Sequence, residues 1–130
     1  MTLALTLPGL PPRELRGNTH GYTREAEFGA RNAAVQWGSA AYYCIVDARN
    51  RCEEPEKWRH LEHAHMATTY VFPDNRRRDV DNYSGRAMKP VQDALVKAGV
   101  LIDDSFQHLS VSYDARVEKG QSLTIVEVTC

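Results

Sequence analysis

The chain has 130 residues and a mass of 14.7 kDa, enough to bury one core and too little for two. Its 42% apolar and 25% charged content is that of a globular protein and excludes a disordered tail. The net charge of −1 gives no overall attraction to polyanions, so any affinity for nucleic acid has to reside in a local basic stripe.

In chain order, Leu3, Leu5 and Leu7 alternate and predict a half-buried strand over residues 2–7, ended by Pro8-Gly9 and Pro11-Pro12. The opening MTLALTLPGLPP lacks a basic n-region and reads as this strand, not as a signal peptide; no later run is long enough to span a membrane. A polar loop with Asn18, Thr19 and His20 follows. Thr23 is the expected N-cap of a long helix, with Glu25 and Glu27 in its first turn. Ala30, Ala34, Trp37, Ala41 and Cys44 carry its apolar stripe to about Ala48. Trp37, Tyr42 and Tyr43 on this helix are read as core, not as platforms for stacked bases. The charged loop RNRCEEPEKW leads to a second strand over Leu61 to Phe72, with Ala64, Met66, Thr68, Tyr70 and Phe72 on one face. Val91, Leu95 and Ala98 mark a short helix closed by Gly99 as its C′ residue. Leu109 to Val117 alternates as a third strand, EKGQ makes a hairpin turn, and Leu123 to Val128 is the fourth. The order β-α-β-α-β-β predicts a single α+β domain over residues 1–130, one mixed sheet with helices packed on a face. The three cysteines have no metal-like spacing and are expected to be reduced thiols of a cytoplasmic protein, Cys44 buried and Cys130 frayed.

The chemistry concentrates in RRRDVDN, Arg76 to Asn82, and in the acidic pair of GVLIDDS, Asp103-Asp104. Arginines recruit phosphate and clustered aspartates repel it, unless a divalent ion sits between them. If the backbone at Asp79 and Asp81 is extended, the two carboxylates share a side, roughly 6.6 Å apart at about 3.3 Å per residue. Bare, they would raise one another's pKa; Mg²⁺ removes that penalty, taking one or two carboxylates and filling its other positions with water and phosphate oxygens. A short helix and return could bring Asp103 and Asp104 back to the first pair, a set suited to metal-assisted phosphodiester hydrolysis. Each segment also has a purely local reading: a helix N-cap for DVDN and an Asx turn for IDDS.

The stretch PDNRRRDVDN…MKPVQDALVKAGVLIDDS, Pro73 to Ser105, resembles the signature of RusA-like Holliday junction resolvases, small endodeoxyribonucleases of bacteria and their prophages. The arginine run, D-x-D-N, a lysine ahead of D-A-L, A-G and D-D appear in the same order. The resemblance implies a cytoplasmic homodimer that nicks opposed strands of a four-way or other branched DNA with Mg²⁺, Mn²⁺ being able to substitute. Matched residue by residue, it implies Asp79, Asp81 and Asp104 as catalytic, metal-binding acids and Lys89 as the catalytic lysine. Arg76, Arg77 and Arg78 fall in the DNA-binding stretch, with Arg86 as a further cation. Of the acidic pair, the match selects Asp104 over Asp103.

One departure from the family bears on the lysine. Compact members place it four residues after the second aspartate, where this chain has Gly85; Lys89 comes eight residues after Asp81. An unbroken helix from Asn82 would carry Lys89 about 6 Å too far, at 1.5 Å per residue. Gly85 and Pro90 predict otherwise: an irregular turn at Tyr83-Ser84-Gly85, a regular helix starting near Lys89, and the lysine returned toward Asp81. Arg86 is the rival for its role. HLEHAH places His63 and His65 on one strand face, and His60 nearby. A zinc site there would need further ligands, and contact with DNA or solvent is the expectation. Asp93 and Lys97 read as surface pairing on the helix.

Overall fold

The structure, a computed structural model, describes residues 1–17 and 23–130. The expected polar loop at Asn18, Thr19 and His20 lies outside the described residues. Strands β1 (Thr2–Pro8), β2 (Ala64–Phe72), β3 (Leu109–Val117) and β4 (Leu123–Thr129) and helices α1 (Arg24–Arg51) and α2 (Lys89–Lys97) follow the expected order β-α-β-α-β-β. The four strands form one mixed sheet in the order β1-β4-β2-β3, with β4 antiparallel to both β1 and β2, and β3 parallel to β2. Leu3, Leu5 and Leu7 pair with Val128, Val126 and Thr124, and Met66, Thr68 and Tyr70 continue the same face. Against it pack Trp37, Ala41 and Ile45 of α1 and Val91 and Leu95 of α2, forming one core. No helix among the described residues is long and apolar enough to cross a membrane.

Helix α1 starts as expected: the Thr23 hydroxyl accepts from the Ala26 N–H at 3.1 Å. Its buried stripe runs Ala30, Trp37, Ala41, Ile45, Arg49. Cys44, expected to be buried, is half-buried instead, because the stripe advances by four residues from Ala41 and Ile45 takes the inward position. All three cysteines are free thiols; Cys130 is exposed, and its N–H bonds the Met1 carbonyl at 3.2 Å. Trp37 is core as expected, Tyr42 is half-buried, and Tyr43 is 71% exposed. At Gly38 the two helices meet closely: an added Cβ would lie 3.5 Å from the Pro90 ring. Helix α2 closes in a Schellman turn, with Gly99 at φ +75° and the Val100 N–H donating to the Leu95 carbonyl at 3.0 Å. Arg49, buried on α1, donates from Nη1 to the Ala98 carbonyl at 2.6 Å and so caps the same helix end with a cation.

The last two strands depart from the expected hairpin. The turn after β3 exists, with the Gln121 N–H donating to the Glu118 carbonyl at 3.0 Å, but β2 lies between the strands it joins. Burial accounts for the insertion. Thr124, Val126 and Val128 of β4 are all fully buried and need a central position, whereas β3 is exposed at Val111 and Val117 and polar on its other face, as an edge strand can be.

Candidate active site

Past Phe72 the chain leaves the sheet and residues 73–79 have no regular structure. The Asp74 carboxylate organises them, accepting from the Arg76 N–H at 3.0 Å and from Arg78 Nη2 at 2.9 Å. The Arg76 N–H, then the Arg78 guanidinium, hold the Asp74 carboxyl below its ordinary pKa. Arg78 Nη1 also donates to the Asp74 and Arg76 carbonyls, and its guanidinium lies 4.7 Å from the Phe72 ring centroid. The Arg78 side chain is consequently only 7% exposed, while that of Arg77 is 92% exposed. Strand alternation would have turned Arg77 away from its neighbours; with no strand here, Arg78 is the one folded inward. Replacing Arg78 with Ala should therefore lower the melting temperature by several degrees. Replacing Arg76 or Arg77 should leave it unchanged, a division that thermal melts check.

The chain is extended at Asp79 but not at Asp81. Val80–Tyr83 is a 3-10 turn with Asp79 at its N-cap, so the two carboxylates are not related by strand alternation. Two contacts distant in sequence and one local bond hold the turn. The Tyr70 hydroxyl donates to the Tyr83 carbonyl at 2.7 Å, Gly17 N–H to the Asn82 carbonyl at 2.9 Å, and Ser84 Oγ to the Val80 carbonyl at 2.9 Å. Burial drives the Tyr70 phenol well above its ordinary pKa, so it remains a donor at neutral pH. Tyr70→Phe should cost about 1–3 kcal/mol, because the Tyr83 carbonyl loses its buried donor; an unchanged denaturation midpoint would remove that bond from the account. The Asp79 side chain does not cap the turn it precedes, and its nearest cation is Arg77 Nη2 at 3.9 Å. Asp81 is exposed, and its carboxylate has no partner among the described residues.

The lysine segment folds as Gly85 and Pro90 predict. Gly85 takes φ +59° at the head of a short 3-10 turn, Gly85–Ala87, and α2 begins at Lys89 with Pro90 in its first turn. Lys89 Nζ meets the Asp104 carboxylate in a hydrogen-bonded ion pair, and Asp93 Oδ1 at 3.1 Å. Its partners are thus Asp104 and Asp93, not Asp81 as expected. The bond to Asp104 raises the lysine pKa above its ordinary value; burial opposes it, and Asp93 adds a further lift. Asp104 is the sheltered member, its side chain 17% exposed. Its neighbour Asp103 faces its own loop: the Ser105 hydroxyl, then the Asp104 and Ser105 N–H groups, depress its pKa. Asp104 is left to the lysine.

The acids are brought together only in part. Lys89 and Asp104 meet across fifteen positions, but among the described residues no three His, Cys, Asp or Glu side chains are gathered into a metal-holding group. Two clefts flank the region. One of about 310 Å³ is lined by Arg76, Arg77, Arg78, Asp79, Asn82 and Tyr83. Another of about 360 Å³ runs between α1 and the start of α2, with Arg31, Arg86, Lys89 and Asp93 on its walls. Arg86 is exposed there and has no carboxylate partner among the described residues. Phe106, two residues past Asp104 and 89% exposed, is a feature that the sequence pattern did not single out; its place in a polar loop between α2 and β3 was the available signal. His65 fills both ring nitrogens with the hydroxyls of Ser110 and Ser112, at 2.6 and 2.8 Å, across the open face of the sheet. No protein-family model matches the chain, and no curated protein does.

The carboxylates suit a hard ion. Oxygen donors are what Mg²⁺ takes, and it needs only one or two from protein, completing its shell with water and phosphate. Among the described residues, neither a cap nor a close ion pair occupies the carboxylates of Asp79 and Asp81.

Proposed function

We propose that this chain is a Mg²⁺-dependent, structure-selective endodeoxyribonuclease that resolves Holliday junctions by paired nicks. The observation that carries the reading is the meeting of Lys89 with Asp104. Two members of the resolvase-like motif, separated in sequence and displaced from the family spacing, come into contact because the chain breaks at Gly85 and restarts at Lys89. Asp79 and Asp81, free of any cap or close ion pair among the described residues, would hold the ion, and Asp104, which the structure keeps on Lys89, would have to turn to it as third acid. Bound there, Mg²⁺ would activate the attacking water and neutralise charge on the phosphate. Asp104 and Asp93 hold the Lys89 ammonium in place, ready to donate to a phosphate oxygen as charge builds. Arg76 and Arg77 face solvent and can bind phosphate along the strand, as can Arg86 at the second cleft.

One chain carries one such set of acids, whereas resolving a four-way junction takes two nicks related by its two-fold axis. A C2 homodimer meets that geometry. Light scattering with junction present should give a complex whose mass, less that of the junction, is twice the 14.7 kDa chain mass; monomers alone at micromolar concentration would count heavily against resolution. The direct test is incubation with a synthetic four-way junction: nicks with Mg²⁺ or Mn²⁺ and none with EDTA. A broader nuclease of forks and flaps would cut those substrates as fast. A catalytically idle DNA-binding protein on the same fold would bind the junction and leave it whole.

A further inference from the structure

We propose a second cation site, for a borderline transition ion such as Zn²⁺, Ni²⁺ or Cu²⁺, at the paired imidazoles of His63 and His108. His63 immediately precedes β2 and His108 immediately precedes β3. Ala64 and Leu109 are parallel partners in the sheet, which makes the two histidines lateral neighbours. Their rings stack with centroids 6.0 Å apart and planes 24° from parallel. Each is anchored by the other strand. His63 Nδ1 bonds the Gln107 carbonyl at 3.0 Å and His108 Nδ1 bonds the Glu62 carbonyl at 2.8 Å, so each ring is held by the residue just before its partner.

A carbonyl only accepts, so in both bonds Nδ1 is the donor and carries the ring proton. The neutral ring then keeps its lone pair on Nε2, the atom available to an ion. A ligating histidine characteristically has this second bond, which sets the tautomer and orients the ring. His65 is the contrast, since both its nitrogens are engaged by serine hydroxyls. Two neutral imidazoles select Zn²⁺, Ni²⁺ or Cu²⁺ over Mg²⁺ or Ca²⁺, which prefer oxygen. Bonds of about 2.0–2.1 Å require the two Nε2 atoms to lie within about 4.2 Å of each other. The rings therefore close together on binding, pivoting on their Nδ1 anchors. Asp103 adds negative charge beside His108. With two protein ligands and water completing the shell, binding should be far weaker than in a closed four-ligand structural site. His108 ends the loop that carries Asp104, so an occupied pair would tie that loop to the start of β2. The pair would bind such an ion whether or not the chain cuts DNA.

Calorimetric titration of the full chain with ZnCl₂ in chelator-free buffer containing excess MgCl₂ should give one saturable site. His63→Ala and His108→Ala should each weaken it at least about tenfold, while His65→Ala leaves it unchanged. In the wild-type protein, NMR of the imidazoles should show Zn²⁺ shifting the Nε2 resonances of His63 and His108 and not those of His65, a readout that needs no variant to fold. Failure to saturate up to about 1 mM Zn²⁺, unchanged affinity in either alanine variant, or shifts confined to other histidines would overturn the site and leave the pair as a cross-strand staple.

Discussion

Asp79→Asn, Asp81→Asn and Asp104→Asn should each lower junction cleavage by at least about 100-fold, with binding unchanged or tighter. Asparagine keeps the size and polarity of the side chain and removes the charge, so the substitution acts on metal affinity while relieving repulsion of the phosphate. Folding should survive it. Asp79 makes no side-chain cap and Asp81 no side-chain bond among the described residues, so neither holds the turn together. That work belongs to Tyr70, Gly17 and Ser84. In Asp104→Asn the lysine keeps Asp93, an exposed pair of small energetic worth, so a collapse of the fold would not explain lost cleavage there. Asp103→Asn is the matched control: asparagine can still accept from Ser105 and the loop N–H groups, and cleavage should fall little. Single-turnover cleavage beside a mobility-shift measurement separates the two effects. Full activity in any of the first three variants would remove that residue from the site.

Lys89→Ala should lose about 100- to 1,000-fold in cleavage with binding retained, the scale expected for removing one charged donor from a transition state. Arg86→Ala should lose little cleavage. Arg86 lies nearer to the compact family spacing, but Lys89 is the cation that Asp104 holds. Protonation sharpens the test. The Lys89 pKa is raised, so its ammonium persists below the ordinary lysine value of 10.5 and is lost only as the pH climbs through the raised one. The pH–rate profile between about 6 and 9 should therefore contain no limb that disappears in Lys89→Ala. If Arg86→Ala were the crippled variant, the lysine match would be a coincidence of spacing and Arg86 would carry the charge.

The irregular entry to α2 was legible because its causes are local. Gly85 supplies the positive φ, and Pro90 is favourable only in the first helical turn. The element order was legible for a similar reason, since period-two and helical patterns lie on the sequence itself. The Asp79–Asp81 geometry was not. A tyrosine on β2 and Gly17, both outside the motif, bend that segment into a 3-10 turn, and no pattern within DVDN announces them. The inward turn of Arg78 was hidden for the same reason, since it depends on Asp74 and the Phe72 ring. The position of β4 rests on a competition between strands. Local turn chemistry favours a hairpin at Glu118–Gln121, but the greater burial of β4 draws it to the sheet centre.

The central claim is that two copies of this chain cut a four-way junction symmetrically. Mapping the nicks on a mobile junction labelled on each strand in turn, then treating the products with DNA ligase, tests it most directly. The account predicts paired nicks at equivalent positions on opposed strands in Mg²⁺, with ends that ligate without further processing. Unpaired nicks at scattered positions, or products that ligase cannot seal, would contradict it.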